Sequence, residues 1–237
     1  MMPALLQRML PPGIVDCFTS IPKVALVDSF VSERGDKALI ERCILSASAS
    51  AVNEDTWPDI PPAEDTEELA VLVLRLADSC TATQRGRLTE LLQRGIGKPL
   101  LLFLCKGNEV YLSARFKEHI VSTLLPSELP DEFVADMDIT HGFPANLRVL
   151  YNRWGCALYA LRLCTNKKLL KLASLIRYAP ATAPDDAILL QSQLHALMQD
   201  FFAIQVELKT CHHPGRRVEL GNSRHRLKQQ LLSLLPL

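Results

Sequence analysis

The hydrophobic rhythm of this chain changes period twice. Near the start, Ile21-Pro22-Lys23 leads into Val24–Val31, and Ile40, Ile44 and Ala47 fall at helical spacing. That spacing predicts a helix from Lys37 to about Ser46, capped by Asp36. The next stretch, 53–67, holds three prolines and no basic residue, and reads as a surface loop anchored by Trp57. The rhythm then shortens. Aliphatic residues run almost unbroken through Glu68–Leu76 and Pro99–Cys105, the pattern of strands buried on both faces. In 109–117, Val110, Leu112, Ala114 and Phe116 alternate with polar residues, as in a half-buried hairpin strand entered through Lys106-Gly107-Asn108. Between the first two strands, Thr83 is expected to cap a helix from Gln84 to Arg94. Leu88, Leu91 and Leu92 share one of its faces, and Gly95 and Gly97 end it. The order strand–helix–strand–strand predicts an α+β fold with a small sheet, and 125–146 reads as a proline-bearing connector.

Beyond it the longer period returns. Leu147, Leu150, Tyr151, Trp154, Leu158 and Leu161 form one helical stripe. A break at 178–186 precedes a second stripe of Leu190, Leu194, Leu197, Phe201, Ile204 and Leu208, and a final helix carries Leu220, Leu227, Leu231 and Leu234. These last two segments are expected to pair as an antiparallel hairpin or to dock a partner. The division expected is an α+β core with N-terminal helices over 1–124 and a helical C-terminal module with a basic arm over 143–237.

Composition sharpens this picture through charge. Formal net charge is zero, but residues 1–140 hold 13 Lys and Arg against 21 Asp and Glu, whereas 141–237 hold 13 against 5. No acid lies between 139 and 184, where Arg148, Arg153, Arg162, Lys167, Lys168, Lys171 and Arg177 all occur. The two halves either neutralise each other or offer a basic face to nucleic acid or an acidic protein. The longest apolar runs fall far short of the roughly 20 residues of a membrane helix, and the first ten residues lack a signal-peptide pattern. Seven scattered cysteines with no C-x-x-C pair suit buried free thiols in a reducing compartment. A cytoplasmic protein with no membrane role is expected.

Candidate chemistry is sparse. Cys211, His212 and His213 are adjacent, so their side chains diverge, and no second ligand cluster lies at zinc spacing; a polar turn is the better reading. Asp200, Glu207 and Lys209 match loosely an E-x-K metal-dependent nuclease, in which carboxylates hold a divalent metal and the lysine steadies water. That site needs a strand at 203–209, and the helical stripe fits more of those positions. Gly95-Ile96-Gly97 leads into a strand, not a helix, so it is no phosphate loop, and no cofactor is expected. The strongest local signal is basic: Arg216, Arg217, Arg224, Arg226 and Lys228 crowd the end of the chain beside one acid, Glu219. Such clustering suits phosphate contacts, and it equally suits a solvated helix face beside a leucine seam.

Three pieces together resemble a known family. They are Ile21-Pro22-Lys23, then Pro99-Leu100-Leu101-Leu102-Phe103 with its hairpin strand, and Arg216-Arg217-Val218-Glu219-Leu220 followed by Leu227-Lys228 and Leu231. Their order and spacing are similar to bacterial domain-of-unknown-function family 4391 (DUF4391) across nearly the whole chain. Gly221 stands where that family usually has asparagine, and the tryptophan expected near Leu45 is absent. The resemblance implies genes beside helicases and DNA methyltransferases in restriction or phage-defence loci, and it carries no catalytic residues. By that analogy a helicase or DNA methyltransferase is the expected protein partner, with nucleic acid and a second copy of the chain as further ones. The expectation is therefore a non-catalytic accessory subunit of a DNA-processing or defence complex, with the nuclease as its alternative.

Overall fold

The computed structural model describes residues 4–30, 34–116, 119–142, 144–164 and 184–233. Its centre is a six-stranded mixed sheet in sequence order, built from β1 (Thr19–Ile21), β2 (Ile44–Val52), β3 (Leu69–Leu76), β4 (Leu100–Lys106), β5 (Glu109–Phe116) and β6 (His119–Leu124). Only β3 and β4 run parallel. Their connection is the helix α5 (Ala82–Gly95), so the strand–helix–strand–strand unit stands as expected and the fold is α+β. Thr81 caps α5, not Thr83. Its hydroxyl accepts from Gln84 N–H at 3.3 Å while Gln84 Oε1 accepts from Thr81 N–H at 2.9 Å, a reciprocal capping box.

Two helical layers enclose the sheet because β3 and β4 have no wet face. Leu100, Leu102 and Leu104 point to one side, with Leu72 and Leu74, and pack beneath α3 (Lys23–Phe30), α4 (Arg34–Cys43) and α5. Leu101 and Phe103 point to the other, with Val71 and Val73. There they meet α1 (Ala4–Met9), α2 (Pro12–Asp16), α6 (Asp131–Met137) and α7 (Leu147–Cys164).

The structure corrects several expectations. The helix predicted to Ser46 stops at Cys43, and the alternating Ser and Ala of β2 continue as a strand. Alanine and serine favour strands weakly, so pairing with β1 and β3 and close cover by α2, α3 and α4 decide the outcome. Asp36 lies in the first turn of α4 and does not cap it. It is nearly buried and accepts a forked pair of bonds from Arg87 on α5, at 2.9 and 3.1 Å. The connector 125–146 contains α6, whose Phe133, Val134 and Met137 enter the core. Trp57 does pack against that core from its loop.

The largest correction concerns the division at 124 and 143. The stripe of α7 is buried in the same cluster as Val71, Leu101 and Phe103, so α7 belongs to the core and not to a separate module. Polar anchors fix it there. Trp154 Nε1 donates to Met137 O at 2.9 Å, and Arg153 donates to the carbonyls of Asp138 and His141. The Tyr151 hydroxyl accepts from Arg115 N–H at 3.0 Å and donates toward the carbonyls of Arg115 (2.9 Å) and Leu100 (3.1 Å).

Burial raises the Tyr151 phenol from 10.0 to about 12. Burial, and then the neighbouring Cys43 thiol, raises Cys80 from 9.0 to about 11. Both folded values exceed the unfolded ones. These contributions are therefore complete below the ordinary values and are lost as pH climbs through the raised ones. Tyr151→Phe should cost about 1–3 kcal/mol in urea unfolding at neutral pH, because buried backbone groups lose their partner. It should also flatten the decline in stability between pH 10 and about 12. An identical decline in both proteins would exclude the Tyr151 hydroxyl as its source.

Candidate nucleic-acid interface

The basic end of the chain is presented by two helices, α8 (Pro184–Thr210) and α9 (Pro214–Ser233). Cys211-His212-His213 turn between them. Pro214 suits the first helical position because its missing N–H would have no helical acceptor there. His213 Nδ1 accepts from Arg216 N–H at 3.4 Å, satisfying one of the open amides of the first turn. The helices pair, and the pair is seated on the core through Phe201 and Leu231, with Leu197, Phe202 and Leu227 beside them. Leu220 is buried as well. The expected hairpin is thus present. The side chains of Leu190 and Leu194, the whole of Leu234, and Lys167, Lys168, Lys171 and Arg177 lie outside the described residues.

Most of α9 faces outward, and its five cations fall into three settings. At 100° per residue, Arg217, Arg224 and Lys228 align in one stripe beside the leucine seam, spread over roughly 16 Å of helix. Arg226 sits about half a turn away from that stripe. It lines a shallow groove with Asp200, Ile204, Ser223 and Gln230. Arg216 is already occupied: it donates to Glu207 at 3.0 and 3.1 Å and to Glu219 at 3.2 Å, and these carboxylates raise its pKa. Arg217 donates to Cys211 O at 3.0 Å and forms no ion pair among the described residues. Arg224, Arg226 and Lys228 are exposed and form no ion pair among the described residues. Arg217, Arg224 and Lys228 therefore lie together, as helical spacing places them, and Arg216 and Arg226 lie apart.

The nuclease alternative meets a different fate. Residues 203–209 lie inside α8, so no strand exists there, and Asp200, Glu207 and Lys209 sit on a helix instead of converging across a hairpin. Glu207 is engaged with Arg216. The helical period of the leucines and phenylalanines outweighs the three-residue alternation of Ile204, Val206 and Leu208, as burial of Phe201 and exposure of Val206 attest.

No family model, curated protein sequence or solved structure matches this chain. Among the described residues no helix is long and apolar enough to cross a membrane. Five described cysteines are free: Cys43 and Cys80 buried, Cys105 and Cys211 half-buried, Cys17 exposed.

Sequence reading missed one group of residues, Arg85 and Arg94 on α5 facing the outermost strand. The signal was present in 119–124, where Val121 and Thr123 alternate with Ile120, Ser122 and Leu124, but it is too short to stand out beside the longer β5. For the hairpin, Leu231→Ala should cost about 2–5 kcal/mol by leaving a cavity under α9. Arg216→Ala should leave the urea midpoint nearly unchanged in low and high salt, since exposed ion pairs contribute little. The reverse ranking would mean that ion pairing, not apolar seating, holds the arm.

Proposed function

We propose that this chain is a non-catalytic accessory subunit of a bacterial DNA-processing or phage-defence complex, and that α9 is its contact to nucleic-acid phosphates. One observation carries the reading: Arg217, Arg224 and Lys228 form an exposed stripe with no carboxylate partner among the described residues, beside the leucine-bearing margin that seats the helix on the core. A seated helix presents its cations in fixed register, which lowers the ordering cost when phosphates are met. The resemblance to DUF4391 supports the same setting and supplies the expected protein partner, a helicase or DNA methyltransferase.

The test is a salt titration of binding to a short DNA duplex, with the full chain and with Arg217→Glu, Arg224→Glu and Lys228→Glu combined. Each phosphate neutralised contributes about 0.9 to the slope of log K against log salt, so the triple variant should lose about 2.7 of that slope. Arg226→Glu, outside the stripe, should retain the wild-type slope. Equal slopes for wild type and triple variant, or no binding at about 50 mM salt, would remove nucleic acid from the reading.

A further inference from the structure

The sheet has two unlike edges. β1 is three residues long and is followed at once by Pro22, so it offers little for another strand to pair with. β6 is six residues long, keeps an unbroken register against β5, and contains no proline, lysine or bulge. Sheet edges are normally guarded by such devices, and this one is not.

The ladder fixes which groups β6 offers. Leu125 N–H donates to Val110 O at 2.8 Å, so the bonded pairs along β5 and β6 continue as Leu112 with Thr123 and Ala114 with Val121. The N–H and C=O groups of Ile120, Ser122 and Leu124 therefore point away from β5. Among the described residues no backbone group pairs with them. The Leu124 carbonyl receives only a long contact, 3.5 Å, from the Thr123 hydroxyl.

Beside this edge lies a groove of about 530 Å³, bordered by α5, β5, β6 and Gln199 of α8. Ile120, Ser122 and Leu124 form its floor with Tyr111. The Arg85 guanidinium lies 3.5 Å over the Tyr111 ring and has no carboxylate partner among the described residues. Among the described residues lining the groove Glu90 is the one acid, already shared by Arg87 at 3.3 Å and Arg94 at 3.4 Å, and just outside it Glu109 accepts from the Tyr111 hydroxyl at 2.8 Å. The groove thus has Ile120, Leu124 and the Tyr111 ring at its base beside Ser122 and Thr123, and two arginines against one acid along its rim.

From this arrangement we propose that β6 is a docking edge for an extended, acidic segment of a partner protein. The segment adds a seventh strand, bonds through its backbone to Ile120, Ser122 and Leu124, and turns alternate carboxylates toward Arg85 and Arg94. Charge decides between this occupant and a second copy of the chain. Pairing β6 with itself would bring two positive grooves onto one face of a continuous sheet, where like charges repel. A peptide with acids at alternate positions meets the same groove with opposite charge. The inference does not rest on the nucleic-acid reading, and the triple charge reversal in α9 should leave it intact.

The experiment measures fluorescence anisotropy of short labelled peptides against the full chain. One peptide alternates glutamate with valine, a second alternates lysine with valine, and two more are the glutamate peptide N-methylated on one alternate set of residues or the other. The glutamate peptide should bind at least about tenfold more tightly than the lysine peptide. Methylation of one set should abolish binding and methylation of the other should leave it, because only alternate residues of an added strand bond to an edge. Ser122→Pro removes an outward N–H without touching the β5 ladder, and edge strands tolerate proline. That variant should lose at least about tenfold in affinity while keeping its far-ultraviolet circular dichroism, and Arg85→Glu should reverse the charge preference. Equal affinity for the two methylated peptides would overturn the proposal, as would no binding of the glutamate peptide at millimolar concentration. A wild-type dimer in sedimentation that Ser122→Pro dissolves would assign the edge to a second copy and overturn it equally.

Discussion

Everything in this fold depends on a strand that has no wet side. Leu100 to Leu104 are all buried, and so is almost all of β3 beside them. A two-sided apolar strand must be covered twice, and burial of each leucine or phenylalanine contributes about 1.5–3 kcal/mol. α5 supplies cover on one side because it is the crossover joining these parallel strands. α7, about forty residues later in the chain, supplies cover on the other. The sheet grows outward from this pair by antiparallel neighbours, and helical cover thins in the same direction.

The two layers meet chemically at one backbone atom. The Leu100 carbonyl accepts from Tyr151 on α7 at 3.1 Å and from Gln93 on α5 at 3.4 Å. Gln93 also donates to the buried Ser113 hydroxyl at 3.3 Å. A carbonyl at the end of the β4–β5 ladder would otherwise be buried without a strand partner. Side chains from opposite layers satisfy it, and in doing so fix where each helix sits on the sheet. Registering α7 in this way also positions the surface that receives α8 and α9, since Phe201 and Leu231 join the cluster that contains Trp154 and Leu158.

The proposed contacts occupy the periphery of this frame. The leucine margin of α9 is spent on attachment, which leaves its arginine stripe facing outward. Among the described residues, α7 covers one face of β6, and its edge and part of the other face are left open. One surface carries the arginine and lysine stripe, and the other carries backbone groups that no described strand pairs with, beside Arg85 and Arg94. They would let one subunit hold nucleic acid and a protein segment at once. Among the described residues, Arg216 and Arg148 find acids, whereas Arg224, Lys228 and Arg85 form no ion pair.

The sequence alone determined the elements whose periodicity is long or dense. Solid aliphatic runs marked β3 and β4, the alternation of Val110 to Phe116 marked β5, and the stripe Leu147 to Leu161 marked α7, because burial imposes its own period on those residues. It also located the hairpin of α8 and α9 and the cations on it. Tertiary structure alone decided the rest. β2 is a strand because β1 and β3 pair with it, although its serines and alanines carry almost no preference. α7 belongs to the core because Tyr151 and Trp154 find backbone partners there, which no local spacing reveals. Arg216 is withdrawn from the basic cluster because it meets Glu207, a residue from the neighbouring helix. The β6 edge emerges only when strand order is known, since a free edge is a property of what fails to pair and not of the six residues themselves.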